Sequence, residues 1–143
     1  MPFPPDRHQL RQFYFQTWNK TRQGHPLEPM ETVVAQVIQL HPEYHKLLED
    51  QDKALDQDFP PQLGKTNPFL HMGLHVALQE QLQAGQPAGI NDIYRSLAAK
   101  SESPHEAEHR MMDCLAETLW QAQRDGTMPD EGGYIACLRR LIE

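Results

Sequence analysis

Cysteine is scarce in this chain, with two residues in 143, Cys114 and Cys137. They form no CxxC pair, and two thiols do not make the disulfide framework of a small secreted domain. Cysteine usage alone therefore points to a reducing compartment, the cytoplasm. Long apolar runs are lacking as well, and no stretch approaches the ~20 residues of a membrane-spanning helix. The opening MPFPPDRHQLRQF has neither the basic n-region nor the apolar h-region of a secretory signal. Basic residues are the minority, 13 Lys and Arg against 20 Asp and Glu, for a formal net charge of -7. That balance argues against a nucleic-acid partner, which asks for a basic face, and against an anionic membrane surface. No glycine-rich phosphate loop and no nucleophile triad is present, so any catalysis would have to be centred on a metal.

The period-two alternation of β-strands is missing too, and what remains is helical periodicity. A chain of this length fits one domain, residues 1–143, with a core that needs no staples. Its 12 prolines imply short helices with defined stops. Asp6 is placed to cap a first helix from Arg7 to about Arg22, with Leu10, Phe13, Tyr14, Thr17 and Trp18 as its apolar stripe. Pro29 opens a second helix whose buried face runs Met30, Val33, Val34, Val37, Ile38, His41, Tyr44 and Leu48. Pro42 must either kink this helix or start a new one after His41. Residues 50–66 read as a connection. Asn67 and Pro68 begin a third helix with Leu70, Leu74, Ala77, Leu78 and Leu82 on its stripe, and a short fourth helix covers about Asn91 to Ser101. Ser103, Pro104 and Glu106 form a capping box for a fifth, ending at Gly126, and Asp130 caps a last one. The expectation is an all-α fold, a compact bundle of five to seven short helices.

The most unusual feature is the histidine spacing. The eight histidines give 28 pairs, of which random placement would put roughly 0.4 at a separation of four. Three occur: His41/His45, His71/His75 and His105/His109. On a helix, that separation sets two imidazoles on one face, within reach of one ion. His71, His75, His105 and His109 lie within or beside apolar stripes. A buried imidazole left unpartnered costs free energy, and six in one interior would repel on protonation. A transition-metal ion resolves this by accepting several lone pairs. Glu49 follows His45 by four and Asp113 follows His109 by four, so both carboxylates join the candidate ligands. Glu106, Glu108 and Glu117 rank below them, as outer candidates, and Cys114 points away from the His105/His109 face. His8 and His25 have no partner at this spacing and read as surface residues.

Six nitrogens and two carboxylates suit one ion or a carboxylate-bridged pair, and redox or oxygen chemistry is compatible with them. Iron and zinc lead the candidates, with copper, nickel and manganese also allowed. The spacing is loosely similar to hemerythrin-like bundles, which hold two irons with HxxxE, HxxxH and a further His/Asp helix. The ExxH pairs of ferritin-like carboxylate proteins are absent. The competing expectation is a non-catalytic protein-interaction module with a histidine-rich core and no metal.

Five stretches together, HPEYH from His41, TNPFLHMGLHVALQEQ from Thr66, Gly89-Ile90, HRMMDCLAETLWQAQRDGTMPDE from His109 and YIACLRR from Tyr134, resemble a small bacterial family known as domain of unknown function 1841. The resemblance runs over nearly the whole chain and implies no activity, substrate or cofactor.

Overall fold

The computed structural model describes residues 7–59 and 67–143. Every regular element among them is helical, as the periodicity requires. The α-helices are α1 (Arg7–Gln23), α2 (Pro29–Gln39), α3 (His45–Glu49), α4 (Gln51–Ala54), α5 (Pro68–Ala84), α6 (Ile90–Lys100), α7 (Pro104–Asp125) and α8 (Glu131–Arg140). Eight helices among the described residues exceed the expected five to seven, and two places account for the excess. At Pro42 the second helix stops, a short 3-10 turn covers Pro42–Tyr44, and α3 begins afresh at His45. In the segment read as plain connection, Asp50 accepts a hydrogen bond from the Lys53 N–H at 3.4 Å and so caps α4. Asp6 and residues 60–66 lie outside the described residues. No helix among those described is long and apolar enough to cross a membrane.

The chain packs as two compact units, one ending at Gly73 and the other running from Leu74 to Glu143, so the division falls inside α5. In the first unit, Tyr14, Phe15 and Trp18 of α1 are buried together with Val33, Val34, Val37 and Ile38 of α2 and Leu48 of α3. Phe69 meets Tyr14 and Phe15 edge-on at centroid distances of 5.8 and 6.0 Å. Arg11 is buried among them, its guanidinium 4.6 Å from the Phe69 ring centre. It donates to the carbonyls of Ala54 at 2.9 Å and Gln57 at 2.8 Å, covering acceptors that the short α4 leaves open. Lys20 of α1 pairs with Glu31 of α2 at 2.9 Å, and Glu31 also accepts the N–H of Glu28 at 2.8 Å. The Glu28 backbone bond and then Lys20 hold the Glu31 carboxyl below its ordinary pKa. Leu10, Met30 and Leu70, expected on buried stripes, are exposed instead.

The second unit is built on Leu78, Ile90, Ile93, Leu97, Met111, Met112, Leu115, Tyr134 and Leu138, contributed by α5, α6, α7 and α8. Ser103 caps α7 as expected, accepting the Glu106 N–H at 3.1 Å. The reciprocal arm is shifted by one residue, since Glu106 accepts from Glu102 rather than from Ser103. Gly126 closes α7 with φ of 65°, the left-handed conformation that glycine adopts without strain.

Cys114 and Cys137 form a disulfide with Cα atoms 5.8 Å apart, joining α7 to α8. With the two thiols joined, cysteine usage no longer argues for a reducing compartment. The two residues are 23 apart in sequence, a separation from which pairing could not be read. α8 carries Gly132 and Gly133 in its first turn, and at Gly133 a Cβ would lie 2.7 Å from the capping Asp130 carboxylate. Chain entropy alone makes a loop of this size worth about 3 kcal/mol. Urea unfolding with and without reductant should show a loss of that order, and Cys137→Ser should reproduce it without reductant.

Tyr134 donates its hydroxyl to Gln81 at 2.6 Å inside this unit. Burial pushes its phenol up from 10.0 to about 12, against a smaller opposing effect of Gln81. Unfolded chains lose this proton first, so stability should fall as pH rises from about 10 towards 12. Tyr134→Phe should flatten that alkaline slope in pH-dependent urea unfolding.

Candidate metal centre

The first histidine pair does not share a helix face, and the reason is Pro42. An uninterrupted helix would send the N–H of residue 42 to the carbonyl of Ile38, and proline has none. His41 leaves helical geometry, with φ −126° and ψ 68°, and its backbone N–H turns to Ile38 at 3.0 Å. The Val37 carbonyl that this N–H would have satisfied is taken by the His41 ring, Nδ1 at 2.7 Å. His45 then brings Nε2 to the Ile38 carbonyl at 2.8 Å, its ring 4.3 Å from that of Trp18. Both imidazoles thus finish the C-terminal end of α2. Because carbonyl oxygens accept, His41 carries its proton on Nδ1 and its lone pair on Nε2, while His45 has the opposite tautomer. His41 is buried, with Tyr44 stacked on it at 5.4 Å and His71 edge-on at 5.0 Å. Burial, and after it the charge of Glu43, raises the pKa of the Tyr44 phenol.

In the second unit three imidazoles come together. His75 on α5 is buried, with His105 stacked on its ring at 5.0 Å and His109 at 4.9 Å. His105 and His109, one turn apart on α7, have ring centres separated by 4.1 Å. The Nε2 atoms of His75 and His109 face each other at 3.1 Å. One ring nitrogen from each of the three lies within 4.8 Å of the others, a group that could hold a metal ion. Two imidazoles bound to a tetrahedral zinc ion at 2.0–2.1 Å would have their nitrogens about 3.3 Å apart, close to the observed approach of His75 and His109.

Behind His75 lies Glu108 of α7, buried as well, with Oε2 at 3.5 Å from His75 Nδ1. The side-chain amide of Gln79, one turn beyond His75 on α5, donates to Glu108 Oε1. Tyr94 of α6 is near enough for the Glu108 charge to add to burial in raising its phenol pKa.

The remaining sequence candidates lie elsewhere. Glu49 is exposed and faces Arg22 at 3.5 Å, and Asp113 is exposed on the outer side of α7. His8 is exposed and pairs with Asp56 at 2.5 Å, and His25 is exposed. Cys114, expected to point away from the His105/His109 face, is buried in the disulfide. Glu108, ranked low from sequence, is the carboxylate beside the imidazoles, and Gln79 and Tyr94 were not singled out. A signal existed for Glu108, which sits four before Met112 and seven before Leu115, on the apolar stripe of α7.

The chain matches, over residues 6–140, the family model described as a domain of unknown function, DUF1841. It belongs to that family. No curated protein and no solved structure matches the chain. The residues of this DUF1841 chain are therefore the ground for any functional reading.

His45 is tied to a carbonyl freed by Pro42, so its role in the fold can be measured separately. His45→Ala should lower stability by about 1 kcal/mol, the worth of one such hydrogen bond, in urea unfolding. An unchanged midpoint would remove the capping role.

Proposed function

We propose that this protein binds a single transition-metal ion through imidazole nitrogens, with His75, His105 and His109 as donors. The observation that carries the reading is the convergence of three histidine ring nitrogens within one packed unit. An all-imidazole set suits zinc, copper, nickel, cobalt or ferrous iron, and disfavours magnesium and calcium, which take oxygen ligands. One ion is favoured over two because Glu49 and Asp113, the carboxylates a bridged pair of hemerythrin type would draw on, are exposed.

A metal-free histidine core is the competing reading, and the same 3.1 Å approach favours it. One imidazole can donate to the other at that distance, satisfying both nitrogens within the core of an interaction module.

Elemental analysis of untagged protein, followed by titration with Zn2+, Co2+, Ni2+, Cu2+ and Fe2+, separates the two. About one equivalent should bind, and a tightly bound ion at a hundredfold excess over its Kd should stabilise the fold by about 2.7 kcal/mol. His75→Ala, His105→Ala and His109→Ala should each abolish or sharply weaken binding, while His45→Ala retains it. Less than about a tenth of an equivalent, with no binding on titration, would sink the metal reading and leave the histidine core.

A further inference from the structure

We infer that Glu108 is the positioning residue of the histidine site, holding His75 as its Nδ1–H tautomer so that the Nε2 lone pair points at the ion, with Gln79 holding Glu108. This inference rests on the metal-binding reading for its functional consequence, though not for its structural content. A carboxylate only 5% exposed is costly unless both oxygens find donors. Gln79 supplies one donor to Oε1. On the other side, His75 Nδ1 lies 3.5 Å from Oε2, within ion-pair range and longer than an ordinary hydrogen bond, and Oε2 is the carboxylate atom nearest to it. A carboxylate oxygen can only accept, so the proton belongs on Nδ1 and the lone pair on Nε2. That Nε2 is the atom 3.1 Å from His109 Nε2. The spacing on both helices makes the arrangement self-locking. His75 and Gln79 are one turn apart on α5 and lie beside the carboxylate from the same face, and Glu108 is followed directly in α7 by His109. Buried negative charge on Nδ1–H also makes Nε2 a stronger donor to a cation, the effect that carboxylate partners have on metal-bound histidines. Glu106, the other acid of this turn, is occupied at the cap of α7 and cannot substitute.

The test uses the full chain in two arms. In the first, 15N NMR of the metal-free protein reads the His75 tautomer, which should be Nδ1–H in the wild type and shift towards Nε2–H or a mixture in Glu108→Gln. In the second, Zn2+ affinity is read by competition with a chromophoric chelator, and Glu108→Gln should bind about 10–100-fold more weakly. Gln79→Met, which leaves the carboxylate charged but unheld, should fall between the two and serves if Glu108→Gln does not fold. An Nε2–H tautomer in the wild type overturns the inference, as does Zn2+ binding by both variants within about twofold of wild type. Absence of Zn2+ binding by the wild type would sink the metal reading alone, and the tautomer arm would still decide the role of Glu108.

Discussion

A buried carboxylate sets the terms for the second unit. Glu108 has left water, and a bare charge in an apolar interior is among the most expensive groups a fold can contain. Gln79 of α5 answers that demand with a hydrogen bond, and His75 of the same helix lies at 3.5 Å. The register of α5 against α7 follows, since a shift of either helix by one residue would strand the carboxylate. With that register set, His75 is brought against His105 and His109. The clustering of three imidazoles is thus a consequence of polar satisfaction as much as of apolar packing.

The first unit solves a different problem with similar side chains. Pro42 interrupts the hydrogen-bond ladder of α2, and two carbonyls lose their ordinary donors. His41 and His45 supply replacements, one from each ring orientation. Two residues with identical spacing to the other pairs therefore have their tautomers set by backbone carbonyls, and in opposite senses. His45 is committed through Nε2 and His41 through Nδ1.

Local rules account for much of the architecture. Helix starts at Pro29, Asn67, Ser103 and Asp130 follow from capping chemistry that acts over three or four residues, and the glycine stop at Gly126 follows from its tolerance of positive φ. Periodicity placed Trp18, Val37, Leu78 and Met112 in cores. It failed at Leu10, Met30 and Leu70, because a stripe on a short helix has flanks, and which flank meets a neighbour depends on how helices cross. Glu108 was undervalued for the same reason. Its spacing to Met112 and Leu115 was visible, but a charged side chain gains a buried position only from partners on other helices, and Gln79 and His75 lie about thirty residues away in sequence.

The sequence by itself determined that the chain is helical, that it breaks at Pro42, and that six histidines occur in three spaced pairs, since these depend on propensity, missing donors and counting. Tertiary structure alone decided which imidazoles converge, that Glu49 and Asp113 stay outside, and that Cys114 meets Cys137. Those outcomes depend on helix crossing and register, set by the sum of many packing contacts and by the requirement that every buried polar atom find its partner.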